Sequence, residues 1–89
     1  MKINYKKSFA KDLKTHEKNK NLLAKIEETI LEVEDAENIA SIKNIKKLKA
    51  EGSYYRIRMG NYRSGLIIEG ETVTFVRFLH RRDIYRYFP

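Results

Sequence analysis

Residues 54–69 read YYRIRMGNYRSGLIIE, and this stretch decides the fold. Two runs with β-strand character, 54–59 and 62–69, flank the dipeptide Gly60-Asn61. A glycine–asparagine pair between two such runs is typical of a two-residue hairpin turn, because glycine readily adopts the positive φ angle that such turns require. The stretch therefore predicts an antiparallel β-hairpin, and a two-residue loop fixes the register of its strands.

That register places two arginines directly opposite each other. Arg58 pairs with Arg63, and strand alternation adds Arg56 to the same face. The opposite face is apolar and comprises Tyr55, Ile57, Met59, Tyr62, Leu66 and Ile68. Facing like charges destabilise a sheet, and a local conflict of this kind often marks a functional site. We expect this face to bind phosphate, with Tyr54 beside it to stack on a base; a splayed, solvated arginine surface is the alternative.

The segments around the hairpin predict the rest of an α+β fold. Residues 2–6 indicate a short strand. Ser8 is expected to cap a first helix, which has Phe9 and Leu13 on its apolar face. A break near Asn19 leads to a second helix. Apolar residues of the second helix recur at steps of three and four: Leu22, Leu23, Ile26, Ile30 and Val33.

Residues 42–48 suggest a short helical connection, 72–79 a third strand after the hairpin, and 80–89 a short terminal helix or extended tail. The predicted order is β-α-α-β-β-β, an antiparallel sheet with two N-terminal helices on one face. The other face is expected to stay open.

Composition favours an anionic partner. The chain carries a formal charge of +7 with a pI near 9.7. All twelve lysines lie within residues 1–50, whereas all seven arginines lie within 56–86. Lysine suits a diffusely attractive surface and arginine a planar fork that matches phosphate, so the second half is expected to contain the working site.

Several other classes of protein are disfavoured. The chain has no cysteine and only two histidines, which argues against disulfides and a zinc site, and we expect no cofactor. No apolar run approaches the roughly 20 residues that span a bilayer. Because the N-terminus also lacks the apolar segment of a signal peptide, a cytoplasmic protein without a membrane partner is the expectation.

The sequence YRIRMGNYR at 55–63, followed by a hydrophobic hairpin and by HRRDIY at 80–85, resembles the RelE/ParE superfamily of type II toxin–antitoxin toxins. The resemblance extends over essentially the whole chain and implies one RelE-like toxin domain, residues 1–89. RelE-type members cleave messenger RNA in the ribosomal A site and are neutralised by an antitoxin that wraps around them. The implied partners are therefore the ribosome, mRNA and a cognate antitoxin in a hetero-oligomer.

The resemblance also implies a set of catalytic residues: Arg56, Arg58, Arg63, Arg81 and Tyr85, with Arg82 as the alternative to Arg81. The ribose 2′-hydroxyl would attack the adjacent phosphate and leave a cyclic phosphate and a 5′-hydroxyl. Arg58 and Arg63 would stabilise phosphate charge, Arg81 would assist the leaving group, and Tyr85 would stack on or orient a base.

One departure from some RelE toxins concerns the proton acceptor. Arginine stands at Arg56 and Arg58 where those members have lysine, and arginine stays protonated. The acceptor is then His80, Tyr85 or a ribosomal group, and Tyr54, His80 and Arg82 are the further residues expected to contact substrate. The alternative functions are a ParE-like inhibitor of DNA gyrase and an RNA-binding module that does not cleave.

Overall fold

The computed structural model describes residues 1–49 and 52–89. Its helices and strands follow one another along the chain as β1 (Lys2–Tyr5), α1 (Lys7–Lys14), α2 (Lys20–Asp35), β2 (Ile45–Lys47), β3 (Tyr54–Met59), β4 (Tyr62–Glu69), β5 (Thr72–His80) and α3 (Ile84–Tyr87). A short 3₁₀ helix, Ile39–Ser41, precedes β2. No helix among these residues has the length and apolar character needed to cross a membrane.

The strands form one sheet in the order β1-β5-β4-β3-β2. Only β1 and β5 are parallel, and the other neighbours are antiparallel. The predicted α+β fold is confirmed, and so is the hairpin register, with Met59 opposite Tyr62 and Arg58 opposite Arg63. A two-residue turn fixes this register locally, so it follows from sequence alone.

The core lies between the sheet and the first two helices. Phe9 of α1 and Ile26 and Val33 of α2 are buried, as their helical spacing predicts. They belong to one apolar cluster with side chains of three strands: Ile57, Met59, Leu66, Ile68, Val73, Phe75 and Phe78. Most of the helix side of the sheet is therefore used for packing.

The prediction of a helical connection over residues 42–48 was wrong. Ile45–Lys47 forms β2, which pairs with β3 and places Ile45 opposite Ile57. A strand of three residues is too short to show its own period, and it forms because the outer edge of β3 offers unpaired backbone groups.

Ser8 does not cap α1. The residue at the helix start is Lys6, whose side chain makes no capping bond, while the Ser8 hydroxyl donates to the carbonyl of Val76. Strand β1 pairs with β5 only as far as Phe75. Beyond that point α1 satisfies the edge of β5, because Asp12 accepts a hydrogen bond from the Phe78 N–H at 2.9 Å.

The face opposite α1 and α2 is only partly open, which corrects the expectation. Helix α3 is the predicted short terminal helix, and Phe88, directly after it, is 3% exposed. A Cβ atom on Gly65 would lie 2.5 Å from the Phe88 ring, so the ring rests against the bare backbone of β4. The C-terminal segment thus covers part of this face and leaves the arginines at its side.

Candidate functional site

The β3–β4 hairpin brings three arginines to one face of the sheet. Arg58 lies opposite Arg63, and Arg56 lies opposite Gly65, the residue beneath the Phe88 ring. Gly60 has a φ of 61°, in the left-handed region that the tight turn requires. The local chemistry of the turn therefore determines which arginines meet.

Arg63 lies over the turn of its own hairpin. Its Nη1 donates to the carbonyl of Gly60 at 2.8 Å and to that of Tyr62 at 2.9 Å. These bonds fix one edge of the guanidinium group against the backbone. Its Nε and Nη2 make no hydrogen bond within the described part of the chain.

The surroundings of Arg63 are strongly positive. Burial lowers the pKa of Arg63 first, and the charge of Arg56 lowers it next. Tyr85 raises the pKa, whereas Arg58 and Arg81 lower it further. Four arginines and Tyr85 are therefore close enough to interact electrostatically, which is the group that the family resemblance implies.

Asn44, which the sequence reasoning missed, links the two arginines of β3. Its carbonyl accepts a hydrogen bond from Arg56 Nη1 at 2.7 Å, and its Oδ1 accepts one from Arg58 Nη2 at 3.2 Å. Asn44 precedes β2 in a stretch that was expected to be helical, so nothing in the sequence suggested this contact. The Nε of Arg56 is buried and has no hydrogen-bond partner among the described residues.

The C-terminal turn places Arg81 and Arg82 differently. The Arg81 N–H donates to the carbonyl of Asn61 at 2.8 Å, which ties this turn to the hairpin turn. The Arg82 N–H donates to His80 Nδ1 at 3.2 Å. Arg81 affects the pKa of Arg63, and Arg82 is not among the groups that do.

The structure does not bring His80 to the arginine face. His80 pairs with Tyr62 on the helix side of the sheet, and the two rings lie 5.6 Å apart. The cause is an irregularity between Gly65 and Leu66, which pair with Arg77 and Phe75, so that Val76 is an extra residue in β5. This bulge reverses the alternation beyond Val76.

The two tyrosines of the predicted site, Tyr54 and Tyr85, differ in how much of the ring is exposed to solvent. Tyr54 lies edge-on to Phe88, with ring centroids 5.8 Å apart, so part of its ring is already covered. Tyr85 is 60% exposed. Tyr85 therefore has the freer ring for stacking on a base.

Arg77 is a fourth arginine on this side of the sheet, and it differs from the others. It pairs with Gly65, and its guanidinium makes a bidentate contact with Asp12, with Nε–Oδ2 at 2.7 Å and Nη2–Oδ1 at 3.2 Å. The hydrogen bond to Asp12 raises the pKa of Arg77. Within residues 1–49 and 52–89 this is the only ion pair, so Arg56, Arg58, Arg63 and Arg81 have no carboxylate partner there.

The donor set does not suit a metal ion. The described part of the chain contains no group of three or more histidine, aspartate and glutamate side chains arranged to hold one. What the site offers is a set of guanidinium donors for an anion.

Similarity to known proteins agrees with this arrangement. The family model for the ParE toxin of the type II toxin-antitoxin system, parDE, matches residues 3–85. Toxin RelE3 of Methanocaldococcus jannaschii is 43% identical to the chain over 90 residues, and the match covers 100% of both proteins. This chain belongs to the RelE/ParE superfamily of type II toxins.

Solved structures of other toxins share the fold. The toxin is similar to a chain of the RelB-RelE antitoxin-toxin complex from Methanococcus jannaschii, with 40% identity, a TM-score of 0.77, and coverage of 97% of this chain and 99% of that one. A chain of the RelBE2 complex from Mycobacterium tuberculosis matches at 26% identity and a TM-score of 0.59, with 92% of each chain covered. YafQ from Escherichia coli, at 15% identity and a TM-score of 0.73 over 93% of this chain and 96% of that one, shows the fold alone.

Proposed function

We propose that this toxin is a ribosome-dependent mRNA endonuclease that stops translation in the cytoplasm. The main support for the proposal is that Arg56, Arg58 and Arg63 lie on one face of the hairpin, with Arg81 of the C-terminal turn close enough to lower the pKa of Arg63, and that no described carboxylate pairs with any of the four. Like charges placed together without counterions raise the energy of the free protein. An anion with several oxygens relieves that repulsion.

The chain supplies the positive donors for this reaction, and the reaction also needs a proton acceptor. The ribose 2′-oxygen forms a bond to the adjacent phosphorus as its proton leaves, and the bond from phosphorus to the 5′-oxygen breaks. The products are a 2′,3′-cyclic phosphate and a 5′-hydroxyl, whose oxygen takes its proton from water. The negative charge on the phosphate oxygens grows in the transition state, so fixed positive donors accelerate the step.

The positions of the arginines suggest their roles. Arg58 and Arg63 face each other across the hairpin, and we assign them to the oxygens of the phosphate undergoing attack. Arg56 adds charge beside them. Arg81 lies at the C-terminal turn and would stabilise the departing 5′-oxygen, with Tyr85 stacking on or orienting a base.

The ribosome is proposed to supply the proton acceptor. Arginine stays protonated at physiological pH and makes a poor base. His80 lies on the helix side of the sheet beside Tyr62, so it is not the base in this proposal. Because Tyr85 is assigned to a nucleobase in this proposal, a ribosomal group takes the proton, and cleavage would then depend on the ribosome.

A cognate antitoxin is the second partner that we propose. The RelB-RelE and RelBE2 structures are complexes of a toxin with its antitoxin. For this toxin, a net charge of +7 and four arginines without a carboxylate partner among the described residues favour a partner that covers the arginine face with acidic groups. Charge reversal at Arg58→Glu and Arg63→Glu should weaken antitoxin binding, measured by calorimetry; unchanged affinity would exclude direct coverage of this patch.

The test of the proposed activity is in vitro translation with primer extension on a defined message. The parent protein should produce new 5′ ends only when ribosomes are present, with cyclic phosphate on the upstream fragment. Loss of gyrase supercoiling with translation intact would move the toxin to the gyrase-inhibitor class. Binding to RNA without new ends would make it a non-cleaving RNA-binding module.

A further inference from the structure

Asn44 has an unusual backbone conformation. Its φ is 62°, and among the described residues it is the only non-glycine with a positive φ. Asparagine is one of the few residues with a side chain that adopts this conformation readily. The conformation turns the Asn44 carbonyl toward β3, where it accepts a hydrogen bond from the Arg58 N–H at 3.1 Å and so continues the β2–β3 pairing by one residue.

The same conformation gives Asn44 two oxygens that face the arginines. The backbone carbonyl holds Arg56 through Nη1, and the side-chain Oδ1 holds Arg58 through Nη2. Both arginines lie near Arg63 and repel it. Without these acceptors the long side chains would move apart into solvent, because mutual repulsion and conformational entropy favour separation.

The chemistry of the acceptor also matters. An amide oxygen and a carbonyl oxygen bind a guanidinium group but carry no net charge. Asp12 shows the contrast, since its carboxylate binds Arg77 and compensates its charge. Asn44 therefore restrains Arg56 and Arg58 while leaving their positive charge available to a ligand.

We propose that Asn44 is a positioning residue that holds Arg56 and Arg58 in place for phosphate without neutralising them. This inference rests on the proposed function of the arginine face. It assigns no contact between Asn44 and RNA; Asn44 acts through the two arginines.

Asn44→Gly removes the side-chain acceptor of Asn44 and keeps its backbone acceptor, so the two contributions can be measured separately. Glycine accepts a φ of 62° and retains the carbonyl that holds Arg56, so only the bond to Arg58 is removed. We expect ribosome-dependent cleavage to fall by about 3- to 10-fold through kcat, with KM unchanged. In an Arg58→Ala background the same change should have no further effect, because the side chain acts through Arg58.

Two further variants complete the experiment: a matched control at a second asparagine and a charge-changing substitution at Asn44. Asn38→Gly removes another asparagine side chain that accepts from Ser41 at the start of the 3₁₀ helix, remote from the arginines; its cleavage per folded molecule should equal that of the parent. Asn44→Asp keeps the acceptor and adds a negative charge. It should hold Arg58 at least as firmly yet weaken binding of inorganic phosphate.

The deciding measurement is NMR relaxation of the arginine Nε–Hε groups, which requires no ribosome. In Asn44→Gly the Arg58 group should lose order while the Arg77 group, held by Asp12, keeps it as an internal control. Unchanged order at Arg58, or an equal loss of cleavage in the Arg58→Ala background, would overturn the positioning role. Failure of the parent to cleave message would instead overturn the proposed function, and the relaxation result would still decide whether Asn44 holds Arg58.

Discussion

Arg63 and Arg77 lie on the same face of the sheet, on the neighbouring strands β4 and β5, but in opposite surroundings. Arg77 is 26% exposed and forms a bidentate pair with Asp12, which is 14% exposed, and this partner raises its pKa. Among the described residues Arg63 has only backbone carbonyls as acceptors, and burial and neighbouring arginines lower its pKa. The comparison separates an arginine that is paired with a carboxylate from one that we propose binds phosphate.

The direction of each pKa shift shows whether the charged arginine stabilises or destabilises the folded state. Because Arg63 is basic and its pKa is lowered on folding, its charged form is less favourable in the folded chain at every pH below that pKa. The raised pKa of Arg77 has the opposite sign, and its stabilising effect is present throughout the neutral range. The charge of Arg63 is therefore less favourable in the folded chain than in the unfolded one, and the charge of Arg77 is more favourable.

A large loss of cleavage is also expected from a substitution at the C-terminal turn. Arg81→Ala should lower ribosome-dependent cleavage by about 10²-fold, since it removes one electrostatic donor from the cluster around Arg63. Arg82→Ala is the matched control, one residue away and exposed, and should change cleavage by less than about 3-fold. A larger loss in the Arg82 variant would move the leaving-group role to that residue.

On the structural side, Asp12→Ala should destabilise the toxin. The change removes the acceptor of two Arg77 bonds and of the Phe78 N–H, at a cost of about 2–4 kcal/mol. Thermal denaturation should show a melting temperature lower by about 10–20 °C. Cleavage per folded molecule should remain that of the parent, and a specific loss of activity would mean that Arg77 belongs to the working site.

Gly65→Ala tests the boundary between the two regions. The added Cβ would lie 2.5–2.8 Å from three atoms of the Phe88 ring, so the C-terminal segment must shift, at a cost of about 1–3 kcal/mol. Hydrogen exchange should show weaker protection of α3 while that of β4 persists. Equal protection of α3 in both proteins would contradict this placement of Phe88.

The smallest effect is stabilisation by an anion. Inorganic phosphate at ten times its Kd should stabilise the parent by about 1.4 kcal/mol, because a ligand that binds the folded state shifts the equilibrium by mass action. The stabilisation should disappear in Arg58→Ala and persist in Arg77→Ala, as measured by melting temperature against phosphate concentration. The reverse pattern would place the anion at Arg77.

The sequence predicted the parts of the site that depend on neighbouring residues. The Gly60-Asn61 turn determines that Arg58 meets Arg63, and this information is contained within ten residues of sequence. The spacing of Ile26 and Val33 likewise predicted the buried face of α2. In both cases local geometry is sufficient.

What the sequence did not predict depends on distant contacts. Asp12 and Arg77 are 65 residues apart, and no local pattern indicates that α1 completes the edge of β5. The bulge at Val76 moves His80 to the helix side, and strict alternation could not show this. Asn44 was missed because its role depends on a strand, β2, that is too short to be recognised.

The central claim, that Arg63 is placed for function and Arg77 for folding, is tested most directly by two parallel substitutions. Melting temperature and ribosome-dependent cleavage would be measured on the same preparations of Arg63→Ala and Arg77→Ala. Arg63→Ala should melt within about 3 °C of the parent, because relief of repulsion offsets the two lost hydrogen bonds to turn carbonyls, yet lose cleavage by about 10²–10³-fold. Arg77→Ala should melt about 5–15 °C lower and retain full cleavage per folded molecule. A destabilised but fully active Arg63 variant, beside a stable but inactive Arg77 variant, would contradict the account.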